Sequence, residues 1–184
     1  MLKYLCVAAA ALTLGACETT SSRPYAPSTA NILAFQAALK ETDSKVQVAP
    51  FSLASGVSEK LTCRALGALE VAPGKSAREF VESAMRDELF AAGVYDAAKG
   101  VAINGELTQL DFNSMGTGSW DISLKLSSTA LPEGYEVGTH YTFKTSYSAI
   151  KACQNVIDAF TPAVQELIGK AVADPSFKKL AGSQ

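Results

Sequence analysis

Three consecutive segments in the second half of the chain alternate apolar and polar residues, and this pattern constrains the fold most. The clearest alternation runs over 119–128, where the apolar positions are Trp120, Ile122, Leu124 and Leu126. Segments 101–113 and 134–146 alternate in the same way, with a change of phase near Thr108–Gln109 that is typical of a β-bulge. Short connections containing glycine or proline join the three segments. We therefore predict an antiparallel meander with one face packed and the other in water.

Two amphipathic helices accompany this sheet. Ser76-Ala-Arg-Glu79 has the sequence of a capping box, so a helix is predicted from there to about Ala92. The longest helix covers about Tyr147–Ala173. Its apolar stripe keeps its phase through Pro162, which favours one kinked helix over the alternative of two separate helices.

Shorter elements complete the pattern. A helix is predicted over 29–41, a strand over 45–54, and a second strand or strand pair over 60–71. After the last helix, Phe177 and Leu180 are expected to fold back onto the core. The predicted fold class is α+β: a two-layer sandwich with two main helices packed on one face of a four- to five-stranded, mostly antiparallel sheet.

The N-terminus reads as a targeting segment. Lys3 is followed by 13 almost entirely apolar residues, Tyr4–Ala16. This run is too short to span a bilayer, which takes about 20 residues, but it suits the apolar region of a secretory signal. The alternative is a buried helix.

The end of this run, Leu14-Gly15-Ala16-Cys17, resembles the lipobox of bacterial lipoproteins. The resemblance implies cleavage before Cys17 and acylation of its thiol and new amino group, so that several chains hold the protein on a bilayer. Ordinary secretion with Cys17 left free is the alternative. Glu18, where an aspartate signals inner-membrane retention, favours the outer membrane. The predicted organisation is a lipoprotein signal over 1–16, a lipidated N-terminus and Ser/Thr/Pro-rich tether over 17–28, and a single periplasmic domain over 29–184.

Two further cysteines remain after the signal and the lipidation site are set aside. Cys63 shares a predicted strand face with Leu61, and Cys153 lies on the apolar stripe of the last helix. Both sulfur atoms are therefore expected to point into one core, and a disulfide between them fits an exported chain. Two separate buried thiols are the alternative.

Charge and composition exclude several classes of function. The formal net charge is −2, which gives no electrostatic footprint for nucleic acid. The single histidine excludes a metal site built from several histidines, and the four cysteines lack the spacing of a zinc site. The chain contains no phosphate-binding loop motif. We expect no metal, no cofactor and no enzymatic activity.

Few side chains are candidates for a chemical role. His140 lies on the wet face of a predicted strand without a neighbouring nucleophile, and Asp111 is expected at a bulge or strand edge. Glu88 falls within the apolar arc of a predicted helix, either as a tuned acid or partner contact, or as a side chain that forms a salt bridge or reaches water at the helix end. The aromatic residues of the meander could stack on a ligand, but their periodicity places them in the core. They are Trp120, Tyr135, Tyr141 and Phe143.

Three segments beside the lipobox carry a resemblance to known proteins: Arg78–Gly93, Gly105–Phe112 and Ala173–Leu180. Together they resemble small proteobacterial envelope lipoproteins with a two-layer sandwich, including the lipopolysaccharide-assembly lipoprotein, and the small N-terminal domain of the Tol-Pal periplasmic propeller protein. The resemblance implies the fold and the location, and it assigns no functional residue.

The sequence thus predicts a lipid-anchored protein on the periplasmic face of the outer membrane. We expect a non-enzymatic accessory or binding module of an envelope assembly or transport machine, held to the bilayer by acyl chains on Cys17. A protein partner is expected at a free sheet edge or at the polar sheet face, which carries Asp121, Lys125, Glu136 and Lys144. One alternative is a carrier or sensor of a lipid or glycan. Another is a hydrolase that uses Glu88 or Asp111.

Overall fold

The structure is a computed structural model that describes residues 24–40 and 43–182. The predicted signal and the lipidation site Cys17 lie outside the described residues. The elements in chain order are α1 Thr29–Leu39, β1 Val46–Val48, β2 Ser52–Leu53, α2 Ala77–Ala91, β3 Val101–Asn113, β4 Thr117–Ser127, β5 Tyr135–Lys144, α3 Ala149–Ala173 and α4 Ser176–Leu180. The predicted α+β sandwich is confirmed.

The sheet is built around β3. Strands β3, β4 and β5 form the predicted antiparallel meander, while β1 and β2 both pair with β3 in parallel. The pairing register of β3 and β4 shifts between Leu107 and Gln109, which confirms the predicted bulge. The four apolar positions of β4 are fully buried, so this sheet face forms the core.

Helices α2 and α3 cover that buried face. Helix α2 begins with the predicted capping box, in which the side chains of Ser76 and Glu79 each accept a hydrogen bond from the other residue's backbone N–H. Gly93 follows the helix at φ +74°. Helix α3 packs on β4 and β5, and the Trp120 indole donates a hydrogen bond to the carbonyl of Val156 at 2.8 Å. No helix in the described parts of the chain is both long enough and apolar enough to cross a bilayer.

The C-terminal third follows the sequence prediction. Helix α3 is one continuous element that contains Pro162, which confirms the prediction of one helix instead of two. Phe177 and Leu180 of α4 are fully buried, and the Phe177 ring packs against Phe35 of α1. The chain end therefore closes the core between α1 and α3.

Two predictions for the segment before α2 were wrong in detail. The expected strand over 45–54 is split into β1 and β2, because Pro50 has no N–H to donate to the ladder. The expected strand over 60–71 is absent from the described fold, where only an isolated bridge joins Thr62 to Ala68. Arg64 and Ala65 adopt positive φ, which turns this segment into a tight loop.

Candidate functional site

The predicted disulfide is present. Cys63 and Cys153 are bonded, with Cα atoms 5.8 Å apart and a sequence separation of 90. Both residues are buried, although Cys63 lies in the tight loop instead of the predicted strand. The bridge therefore ties that loop to the second turn of α3.

Arg64, next to the disulfide, is a feature that the sequence analysis missed. Its guanidinium donates to the carbonyl oxygens of Ser114, Ser146 and Tyr147. Its φ is +45° and that of Ala65 is +59°. Such conformations cost about 1–3 kcal/mol each in non-glycine residues and persist only where the surroundings fix them. The hydrogen bonds of Arg64 supply that fixation, and they draw three loops together.

These loops and the residues next to them form one end of the molecule, which we call the cap: residues 63–67, 114–116 and 144–151, the last of which runs from the end of β5 into the first turn of α3. Four large apolar side chains on the cap face solvent, with exposed fractions of 55% for Leu66, 64% for Met115, 107% for Tyr147 and 68% for Ile150. A cavity of about 410 Å³ opens beside two of them and is lined by Arg64, Met115, Gly116, Thr145, Ser146 and Tyr147. Solvent-facing apolar clusters of this kind mark interaction sites.

Glu88 is fully buried, as its place in the apolar arc of α2 indicates. The prediction that Glu88 forms a salt bridge or reaches water at the helix end was wrong. Its Oε1 instead accepts hydrogen bonds from the Tyr25 hydroxyl at 2.6 Å, the Ser28 backbone N–H at 2.9 Å and the Asn31 amide at 3.1 Å. Its Oε2 is buried and has no hydrogen-bond partner in the described structure. Glu88 therefore holds the N-terminal segment to the domain.

That segment packs more closely than a tether would. The Tyr25 ring meets the Phe80 ring edge-on at 5.7 Å, and the Gln165 amide donates to the carbonyl of Ala26 at 2.8 Å. Burial, followed by the hydrogen bond to Glu88, raises the pKa of the Tyr25 hydroxyl. Among the described residues, contacts with the domain therefore include residues 24–28, ahead of α1.

The solvent-facing side of the meander is polar. His140 Nδ1 lies 2.5 Å from Asp121 Oδ1, and Asp111 is paired in register with Asp121 on the neighbouring strand. The Ser119 hydroxyl donates to Asp121 and is not bonded to His140. Asp111 and His140 are both exposed on an open face with no enclosing walls. Within residues 24–40 and 43–182, no group of three or more acidic, histidine or cysteine side chains is placed to hold a metal ion.

The aromatic residues of the meander belong to the core, as their periodicity predicts. Trp120 is fully buried and its ring lies 4.8 Å from that of Phe160. The Tyr135 hydroxyl donates to the carbonyl of Ala171 at 2.7 Å. Tyr141 and Phe143 are partly buried against the same core. The stacking residues invoked for a ligand carrier are therefore engaged in packing.

No protein-family model and no curated protein matches the chain. Among solved structures, the chain is similar to the crystal structure of a Xanthomonas campestris protein of the DUF330 family, at 14% sequence identity and a TM-score of 0.48. The similarity covers 70% of this chain and 84% of that protein.

Proposed function

We propose that this protein is a lipid-anchored module on the periplasmic face of the outer membrane, where it serves an envelope assembly or transport machine without catalysing a reaction. The observation that carries the proposal is Leu14-Gly15-Ala16-Cys17 after an apolar run that suits a secretory signal. The disulfide between Cys63 and Cys153 adds support, because such bonds persist in oxidising compartments.

The absence of catalysis is proposed from the way the candidate acids are used. Glu88 is enclosed and accepts three hydrogen bonds from the N-terminal segment. Asp111 is exposed on the open sheet face, as is His140, and water would compete there for every reacting group. Both arrangements fit structural roles.

Partner contact is proposed at the open sheet face. Lys125 of β4 lies opposite Glu136 of β5, and Asp121 lies opposite His140, so charges of both signs stand in rows across the strands. Helices cover the other face of the sheet, whereas Lys125, Glu136 and His140 on this face are exposed. Mixed charges on a rigid surface favour specific and correctly oriented association.

A crosslinking experiment in intact cells tests this proposal. Photocrosslinkers at Lys125 and at Glu133, an exposed residue in the β4–β5 turn, are compared after purification under denaturing conditions. We expect a defined envelope protein to be captured from position 125, and the charge reversal Glu136→Lys on the neighbouring strand to weaken its recovery by about tenfold. Equal capture from the two positions, or none from either, would contradict contact through the sheet face.

A further inference from the structure

We infer that the cap docks on an anionic phospholipid surface, the same membrane that Cys17 is proposed to enter. The inference rests on the proposed lipid anchor, and it adds an orientation: the cap end of the domain faces the bilayer and the opposite end faces the periplasm. Its support is the combination of exposed apolar side chains, one sign of charge and the reach of the N-terminal segment.

The apolar side chains are concentrated on the cap. In the described residues, six large apolar side chains are exposed, and four of them are Leu66, Met115, Tyr147 and Ile150. They lie in the three cap segments, which Arg64 and the disulfide join, and Ile150 among them belongs to the first turn of α3. A preformed group of this kind can enter the headgroup region without first being ordered. Tyrosine is enriched at that depth, where an apolar ring meets a wet hydroxyl.

The charge on the cap is of one sign, which selects the type of surface. The cap contains Arg64, Lys144 and Lys151, and no aspartate or glutamate occurs in its three segments. Arg64 has no ion pair within residues 24–40 and 43–182. This local excess stands out in a chain with a net charge of −2. Clustered cations beside apolar tips favour anionic lipid headgroups.

The chain between Cys17 and Pro24 is long enough to span the distance from the docked N-terminal segment to the level of the cap. Pro24 and Ala26 line a cavity with Ile157, Asp158, Thr161 and Pro162 of α3. From Ile157 to Ile150 the helix rises by about 11 Å. Residues 17–23 can extend over about 23 Å. Acyl chains on Cys17 and the apolar tips of the cap can therefore enter one bilayer surface together.

The test compares two tryptophan reporters at opposite ends of the molecule. Tyr147→Trp places one on the cap. Phe90→Trp places the other at an exposed position near the end of α2. This helix end lies at the opposite end of the molecule, because the carbonyl of Val94 just after it accepts a hydrogen bond from the backbone N–H of Val46 in β1. Strand β3 has 13 residues and separates these ends by about 40 Å. The single natural tryptophan, Trp120, is fully buried and contributes equally to both variants.

Each full mature chain is purified from membranes and reconstituted in vesicles of brominated phosphatidylcholine and phosphatidylglycerol. We expect bromine to quench the Tyr147→Trp reporter at least twofold more than the Phe90→Trp reporter. This difference in quenching should become smaller under each of three conditions: with Lys144→Gln and Lys151→Gln introduced together, in about 0.5 M salt, and in vesicles without phosphatidylglycerol. Equal quenching at the two ends, or stronger quenching at position 90, overturns the docking.

The same samples separate this inference from the proposed function. The intact mass reports whether Cys17 carries acyl chains, and their absence refutes the anchor. If the chain is unacylated, anionic brominated vesicles are added to it and the quenching of the two reporters is compared again. Docking of the cap still requires at least twofold more quenching at position 147 than at position 90. A Tyr147→Trp signal that responds to protein concentration but not to bromine would show that a second copy covers the cap, and would also overturn the inference.

Discussion

At the scale of single residues, Glu88 shows how a buried carboxylate can hold a distant piece of chain. Its Oε1 takes three donors from residues 25–31, which lie 57 to 63 positions away in sequence. Burying a carboxylate is unfavourable unless donors replace the lost water. The N-terminal segment and the carboxylate thus stabilise each other. Loss of the segment would leave Glu88 without its donors, and loss of the Glu88 carboxylate would leave the donors of the segment without their acceptor.

Removal of the Tyr25 hydroxyl tests that mutual support. We expect Tyr25→Phe to lower the free energy of unfolding by about 1–3 kcal/mol, because the buried Glu88 oxygen loses its shortest hydrogen bond. Tyr147→Phe is the matched control, since the Tyr147 side chain is fully exposed and its change should stay within about 0.5 kcal/mol. Urea titration measures both. Equal effects of the two variants would contradict the role assigned to Glu88.

Glu166 makes a second prediction, which concerns pH. A hydrogen bond from Lys170, and after it one from Thr139, holds the pKa of Glu166 below its ordinary value. Because the folded pKa is the lower one, the stabilisation is complete above the ordinary glutamate pKa of about 4.3 and disappears as the pH falls through the folded value. The gap in Tm between the wild type and Glu166→Gln should therefore narrow between pH 6 and pH 3. A gap that stays constant or widens would contradict the ion pair.

At the scale of elements, the disulfide is the main covalent support of the cap. It closes a loop of 90 residues, for which the chain-entropy model gives a stabilisation of about 4–5 kcal/mol. The paired substitution Cys63→Ser with Cys153→Ser should lower the free energy of unfolding by an amount of that order. Urea titration of the wild type with and without reductant provides the comparison. An unchanged midpoint on reduction would contradict the bond.

The connection between β1 and β2 depends on close contact with β3 at Gly105. A Cβ atom there would come within 2.6 Å of the Phe51 ring. We expect Gly105→Ala to destabilise the fold by about 1–3 kcal/mol through overpacking, and Phe51→Leu in the same chain to restore part of the loss. Thermal unfolding of the single and double variants measures the coupling. If the destabilisation of the double variant equals the sum of the two single ones, the Phe51 ring and a side chain at position 105 do not compete for this space, which would contradict the prediction.

At the scale of the whole molecule, what could be predicted from sequence depends on how local each determinant is. Strands β3–β5 and helices α2 and α3 were predictable because periodicity and capping act within a few residues of one another. The loop at Arg64 was not, because its positive φ depends on carbonyl groups 50 to 83 residues away. The partners of Glu88 and the grouping of the cap's apolar tips were hidden for the same reason.

The central claim is that Cys17 becomes the acylated first residue of the mature protein. Mass spectrometry of the N-terminal peptide, from protein extracted from bacterial membranes, tests it most directly. The account predicts a chain that begins at Cys17 and carries a diacylglyceryl group on the thiol and a third acyl chain on the amino group. A peptide that still contains Leu14-Gly15-Ala16, or one in which Cys17 is unmodified, would contradict it.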